Sequence, residues 1–453
     1  MKRLASGAAL TVLALAASSA VYAQETTAAV RGSVTGEGGA PVAGAAVTIL
    51  HTPSGTRSTT VSGSNGTYDA RGLRVGGPYE ITVQAPGLES KKITDVYLTL
   101  ADTQRVDVDL AANAVDAVVV TASVGGNDIL VSQNIRGDGG ISIAGSNPRT
   151  NRLVIDGVAA QDPYGLETGG LPTARGPISL DAVEQFSISS VPTDVENGSF
   201  TGGALNIVLR SGGNDFHGSA FINYLNEGLV GKKVGNTRIA QQISQKNYGG
   251  FLSGPIWKDT LFFAGSYEKY ETQSTTNTGP VGAGFANSFA NNLTQAKIDE
   301  VVGIYNSGYA SDFAAGSILR TTPVLDEKYS AKIDWNINDQ HRASLSYRRA
   351  ESAFTSRANL GTFTAALDSQ WYDATYLDEG TTLEINSDWT DRLSTTVRAT
   401  YRDWVKGQMP KSGQNYSDVT ICTAPTADAA PTNSSITTCA TGNSSVRFGP
   451  DQF

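Results

Sequence analysis

The 453 residues carry a formal net charge of −9, and only 17% are charged, against ~25% for an average soluble domain. That acidic balance argues against nucleic acid as a partner. The 49 glycines, with abundant Ser, Thr, Asn and Tyr, suit a β-rich chain. His51, His217 and His341 are scattered without ligand spacing, so neither a zinc site nor any other cofactor is expected.

Lys2 and Arg3 precede a short apolar run, Ala9 to Ala17, and Val21-Tyr22-Ala23 ends in a small residue. The pattern predicts a secretory signal peptide over 1–23. The run is too short to span a bilayer and no stretch of about 18 apolar residues follows, which excludes a helical membrane protein. From 28 to 111 short segments such as AAVRGSVTG, GAAVTILHT, STTVSG and YEITVQAPG are broken by turn glycines. Val47 and Ile49, then Tyr79, Ile81 and Val83, supply alternating apolar positions for a small antiparallel sandwich.

Residues 117–123 read AVVVTAS. Val118, Val119, Val120 and Thr121 favour extended backbone, and the strip is too short to build a core, so it reads as a strand in search of a sheet. It could also finish the preceding sandwich or start the next unit. Over 124–212 the reading is mixed α and β. NRLVIDGV is a strand ending at the turn pair Asp156-Gly157, LDAVEQ is a short helix capped by Ser179, and FSISS and ALNIVLR are strands. No nucleophile–base pair, catalytic carboxylate pair or phosphate-binding glycine loop appears, so an enzyme is not expected.

From 214 to 453 hairpins take over, in about seven strands. In KYSAKIDWN, Tyr329, Ala331, Ile333 and Trp335 alternate with Lys328, Ser330, Lys332 and Asp334; Leu383, Ile385 and Trp389 alternate likewise with Glu384, Asn386 and Asp388. Such a sheet has one apolar and one wet face, as a soluble sandwich also would. Three details favour a membrane barrel. Short turns (GPIWKDT, INDQ, TDR) lie on one side and long loops (226–246, 272–325, 352–368, 408 onward) on the other; Trp257, Trp335 and Trp389 sit by the short turns; and the wet face carries Arg, Lys, Asp and Glu. By parity the inward charges include Glu268, Asp334 and Glu384, and the preceding segment offers Arg152 and Arg210, so charge pairs between the two are expected. Cys422 and Cys439 bracket a polar loop expected outside the cell, where one disulfide would contribute about 3 kcal/mol. Two unpaired thiols are the alternative.

VRGSVTGEGGAPVAGAAVTIL and NGTYDARGLRVGGPYEITVQAPG resemble the carboxypeptidase regulatory-like domain, an Ig-like, transthyretin-like sandwich also grouped with carbohydrate-binding folds. A spacer role is expected for it more than a lectin role. NRLVIDGV and DAVEQFSISSVPTDVENGSFTGGALNIVLRSGGNDFHGSAFINYL resemble the plug and first barrel strand of TonB-dependent outer-membrane receptors of the Oar-like kind. The resemblance implies a mainly β fold: the sandwich over 28–111, a TonB box at 116–123, an α+β plug over 124–212, and the first strands of an antiparallel transmembrane barrel over 214–453. It also implies that Val118 to Ala122 add as a strand to the TonB protein, which pulls with energy supplied through ExbB–ExbD. Such barrels have about 22 strands, so the sequence reads as the N-terminal part of a longer receptor, an incomplete barrel embedded in outer-membrane lipid. Import of a scarce, bulky extracellular solute is the expected function. Surface binding or adhesion through the long loops and the sandwich is the alternative.

Overall fold

The computed structural model describes residues 26–100, 102–110, 143, 147–165, 170–189, 202–231, 233–234, 237–238, 244–308, 313–390, 393–413, 417–423 and 443–450. The signal peptide 1–23 and the strip AVVVTAS lie outside the described residues. Among those described, no helix is long and apolar enough to cross a membrane, a statement that does not bear on crossing by strands.

The first unit is a two-sheet sandwich. One sheet runs Thr67–Leu73, Ala28–Thr35, Thr103–Arg105, with Val108–Asp109 also on Ala28–Thr35; the other runs Thr56–Val61, Ala46–His51, Gly76–Gln84, Lys91–Leu98. The alternation read from the sequence points inward as expected: Val47, Ile49, Ile81 and Val83 are fully buried, and Tyr79 nearly so. They pack with Val30, Val34, Leu73, Val96 and Leu98 into one core. Gly32 is required here because a Cβ would sit 1.7 Å from the Val106 carbonyl oxygen.

The second unit is a four-stranded sheet in the order Val158–Ala159, Arg152–Ile155, Ala204–Leu209, Val183–Ser189. Its two central strands run parallel, with Leu153 beside Leu205 and Ile155 beside Ile207. Both are covered on both faces, which is why they read as continuous apolar runs. The helix expected over LDAVEQ is not formed. Leu180–Ala182 is a single 3-10 turn, the Ser179 side chain makes no cap bond, and Val183 already begins a strand. Val183, Phe186 and Ile188 are β-formers whose pairing with Leu209, Ile207 and Leu205 overrides the weak helical start.

The third unit is a seven-stranded antiparallel sheet, His217–Asn226, Ser244–Trp257, Leu261–Thr275, Thr321–Asn336, His341–Ser356, Tyr372–Thr390 and Leu393–Pro410, each strand pairing with the next in chain order. We call it the wall. Its polarity is inverted relative to a soluble sheet. On one face Trp335, Leu345, Val397 and Tyr401 are 48%, 47%, 60% and 65% exposed; on the other Lys328, Asp334, Arg348, Asp378 and Glu384 are buried. Strands of 14 to 19 residues from Ser244 onward exceed the ~9–11 that cross a hydrocarbon core. Trp257, Trp335 and Trp389, all exposed, line the short-turn end as an interfacial girdle. The seven strands form an open sheet that does not close.

One buried group in the sandwich reports on its solvent exclusion. His51 bonds Ser54 Oγ through Nδ1 at 2.7 Å and lies 4.8 Å from the Tyr79 ring. Burial, aided by the Arg74 charge, holds its pKa down at about 3. A depressed histidine gives stability that is complete above the unfolded value of ~6.5 and is lost as pH falls towards the folded value. Between pH 7 and 5 the sandwich should lose about 2 kcal/mol on this account. Urea midpoints at the two pH values, followed by protection of the Ile49 and Ile81 amides in the intact protein, measure it, and His51→Gln should remove that part of the difference.

Candidate functional site: the inner sheet, the charged wall and the outer lobe

The charged face of the wall is built from neighbouring strands. Glu384 stands directly opposite Arg398, which donates through Nε at 2.9 Å and Nη2 at 2.7 Å. Arg348 and Arg402 both stand opposite Gly380, one on each side, and Asp378, two residues along, accepts from both. A diagonal reach of that kind is normal between long side chains. Gly380 makes room for it, since a Cβ there would meet Arg348 Nε at 3.0 Å.

Against this face lies the four-stranded inner sheet with its loops. Asp156 and Gly157 both have positive φ, 45° and 78°, the mark of a two-residue hairpin turn of the mirror-image type. The turn is one of the sheet's contact points with the wall. Thr382 donates to the Asp156 carbonyl at 3.0 Å, Lys332 Nζ lies 3.6 Å from its carboxylate, and Leu209 N–H donates to that carboxylate at 2.9 Å. Other wall donors reach main-chain carbonyls: Lys332 to Leu209 (3.1 Å), Arg402 to Gln161 (2.8 Å), Trp404 to Pro172 (2.8 Å) and Lys328 to Arg175 (3.2 Å). The Arg175 guanidinium is stacked 3.5 Å over Tyr270, a cation–π contact in a desolvated place.

The residues singled out from the sequence are distributed as follows. Arg152 is buried at the start of a central strand of the inner sheet. Arg210 donates to the Val183 carbonyl at 3.0 Å and sits over the Phe251 ring of the wall. Asp334 lies 4.0 Å from Arg74, a sandwich residue, and Glu384 is taken by Arg398 of its own sheet. Glu268 is buried opposite Lys328. Among the described residues, then, several wall cations reach carbonyls of the inner sheet and its loops, while Glu384 pairs with Arg398, Asp378 with Arg348 and Arg402, and Asp326 with Lys328, all within the wall. The Val118–Ala122 strip and Cys439 lie outside the described residues; Cys422, at the end of Val419–Cys422, is disulfide-bonded.

Beyond the far end of the wall the long loops are folded. The helix Gln295–Gly308 and the three-stranded sheet Thr364–Ala366, Ser445–Phe448, Val419–Cys422 share a core of Phe289, Leu293, Ile298, Leu367, Val446 and Phe448. In the sequence this outer lobe falls within the long loops 272–325, 352–368 and 408 onward. Its signal was present: Ile298, Val301, Val302 and Tyr305 recur at helical spacing and all pack on that core.

Breaking the Asp156-Gly157 contact should loosen the inner sheet. Gly157→Ala faces positive φ and an Arg398 side chain 2.9 Å from the new Cβ, and the left-handed backbone alone costs ~1–2 kcal/mol. Asp156→Ala removes the carboxylate that faces Lys332 and accepts from Leu209 N–H, and should cost about 3 kcal/mol. Amide exchange of Leu205 and Ile207 should quicken in both variants while the wall strands keep their protection.

Residues 29–111 match the carboxypeptidase regulatory-like domain, and residues 208–452, more than half of the chain, match the outer membrane beta barrel domain. The chain is 33% identical over 218 residues to the TonB-dependent transporter Oar of Myxococcus xanthus, across 46% of this chain and 19% of that protein. It therefore spans about a fifth of the length of that curated relative. Among solved structures it is similar to the siderophore receptor PirA from Acinetobacter baumannii (18% identity, 61% of this chain, 34% of that chain, TM-score 0.38). It is also similar to the outer membrane transporter YddB from Escherichia coli (14% identity, 58% of this chain, 33% of that chain, TM-score 0.38). The inverted polarity of the wall agrees with the matched domain: the chain belongs to the outer membrane beta barrel domain family and is a protein of the Gram-negative outer membrane.

Proposed function

We propose that the protein is a TonB-dependent receptor that imports a bulky solute across the outer membrane. In this reading residues 124–212 are the plug, 116–123 the TonB box, 28–111 an accessory periplasmic sandwich and 214–453 barrel wall. The observation that carries the reading is the position of the inner sheet. It lies on the charged side of a lipid-facing wall, held by side-chain to main-chain hydrogen bonds at Asp156, Gln161, Pro172 and Leu209. Such bonds are individually worth about 1–3 kcal/mol, the upper end for the lysine and arginine donors, so an applied pull can release them one after another. The folded outer lobe, with its own buried core, presents a surface on which a solute can be recognised before that pull.

TonB would take Val118 to Ala122 as an added strand, through main-chain hydrogen bonds that ask only for β-forming side chains. Energy would come through ExbB–ExbD. The relative's name, a TonB-dependent transporter, supports this partnership.

The test is binding of the purified periplasmic domain of TonB to the receptor. Val119→Pro removes a donor and its ring obstructs the ladder, so affinity should fall at least about tenfold. Val119→Ile keeps both backbone pairing and β-branching and should bind as the parent does. Undiminished binding by the proline variant would falsify the TonB-box assignment and favour a surface-adhesion role for the outer lobe.

A further inference from the structure

The sandwich packs against the short-turn end of the wall, and its contacts there are specific. Thr56 and Asn336, both buried, bond each other through Asn336 Nδ2 to Thr56 Oγ1 at 2.9 Å, and the same amide donates to the Asp259 carbonyl at 3.0 Å. Thr56 is in turn linked by hydroxyl bonds through Ser54 to His51. Arg74 lies 4.0 Å from Asp334 and donates to the Gly212 carbonyl at 3.3 Å. Asn214 N–H donates to the Pro53 carbonyl at 2.7 Å, while its side chain exchanges two bonds with Asp259 in the wall turn.

Above this seat is a cavity of about 390 Å³, lined by all three units: Arg74 from the sandwich, Asp156 and Glu184 from the inner sheet, Lys332, Ser344 and Glu384 from the wall. Its lining mixes cations and anions, so it is a wet chamber and not an apolar trap. The chamber lies between the inner sheet and the sandwich, so whatever passes the inner sheet along this stretch of wall meets the sandwich next.

The sandwich is also joined to the inner sheet. Gln185 exchanges two bonds with its backbone, Nε2 to the Leu98 carbonyl at 3.1 Å and Oε1 from Leu100 N–H at 2.9 Å. Val208, from the inner sheet, is packed into the sandwich's own core. Movement of Val183–Ser189 or Ala204–Leu209 therefore pulls directly on the sandwich.

We propose that the N-terminal sandwich is a second gate: it closes the floor of the chamber beneath the inner sheet and is unseated when that sheet moves. The naming of this side as periplasmic rests on the import reading; the closure itself does not. The polar character of the seat fits a contact made to be broken, since interdomain faces of this kind permit domain motion unless large and apolar.

The experiment places a cysteine in the chamber, Ser344→Cys, in the receptor in outer-membrane fragments open to reagent on both faces. Cys422 is already disulfide-bonded and does not compete for a thiol reagent. The probe is a bulky polyethylene-glycol maleimide, with labelling by a small maleimide after denaturation as the total. The parent should label slowly. Adding Arg74→Ala with Asn336→Ala, or deleting residues 26–110, should speed labelling at least about tenfold by opening the floor. If the double variant fails to fold, as judged by loss of its heat-modifiable migration, the deletion decides. Labelling of the deletion variant at the parent's rate overturns the proposal. Neither solute nor TonB enters the assay, so a failure of the import reading leaves its outcome readable.

Discussion

Everything in this molecule depends on the inverted polarity of one sheet. A strand in lipid must have its backbone groups paired within the protein and its outward side chains apolar. The wall obeys, with Leu345, Val397 and Tyr401 outside. The same pleat then forces every second residue inward, and here those residues are Lys328, Lys332, Arg348, Arg398 and Arg402 with their acids. Inward charges left dry and unpaired would be costly. They are answered in two ways: by one another across strands, as in Arg398 with Glu384, and by the polypeptide that fills the charged side. The inner sheet and the sandwich are thus part of the wall's solvation.

The inward and outward faces of the wall were legible because a period of two is carried by side-chain type alone. The sandwich core was legible for the same reason at Val47, Ile49, Ile81 and Val83. The partners of the inward charges were less so. Lys332, Arg402, Trp404 and Thr382 bond to carbonyls of Leu209, Gln161, Pro172 and Asp156, and a main-chain carbonyl leaves no mark in a sequence. Arg74 was invisible for a different reason: it stands in a sandwich turn, and only the docking of two units brings it to Asp334. The outer lobe is the reverse case. Ile298, Val301, Val302 and Tyr305 announced a helix, but glycine- and asparagine-rich flanks made the whole interval read as loop.

Local backbone choices serve the same end. Asp156 and Gly157 take positive φ so that a two-residue turn can present one carbonyl and one carboxylate to the wall at once. Gly380 removes a side chain so that two arginines can converge on Asp378. At both sites a small residue stands where a charged contact needs space, so the glycines follow from the electrostatics more than from flexibility.

In the proposed reading, the order of the units along the chain sets how a pull would be shared. The strip 117–123 lies between the sandwich, whose last described residue is Leu110, and the inner sheet, whose central strand starts at Arg152. A force applied to the strip acts towards both neighbours. The sandwich is seated on the wall by a few hydrogen bonds, at Thr56, Arg74 and the Pro53 carbonyl, and is tied to the inner sheet by Gln185 and Val208. The inner sheet is held by strand pairing, by the apolar cluster of Leu153, Ile155 and Leu205, and by wall donors along its length. Contacts with little buried apolar surface open at lower free energy than a packed sheet. The seat on the wall should therefore yield with the first movement of the inner sheet, to which the sandwich is tied, so that the exit opens as the plug moves.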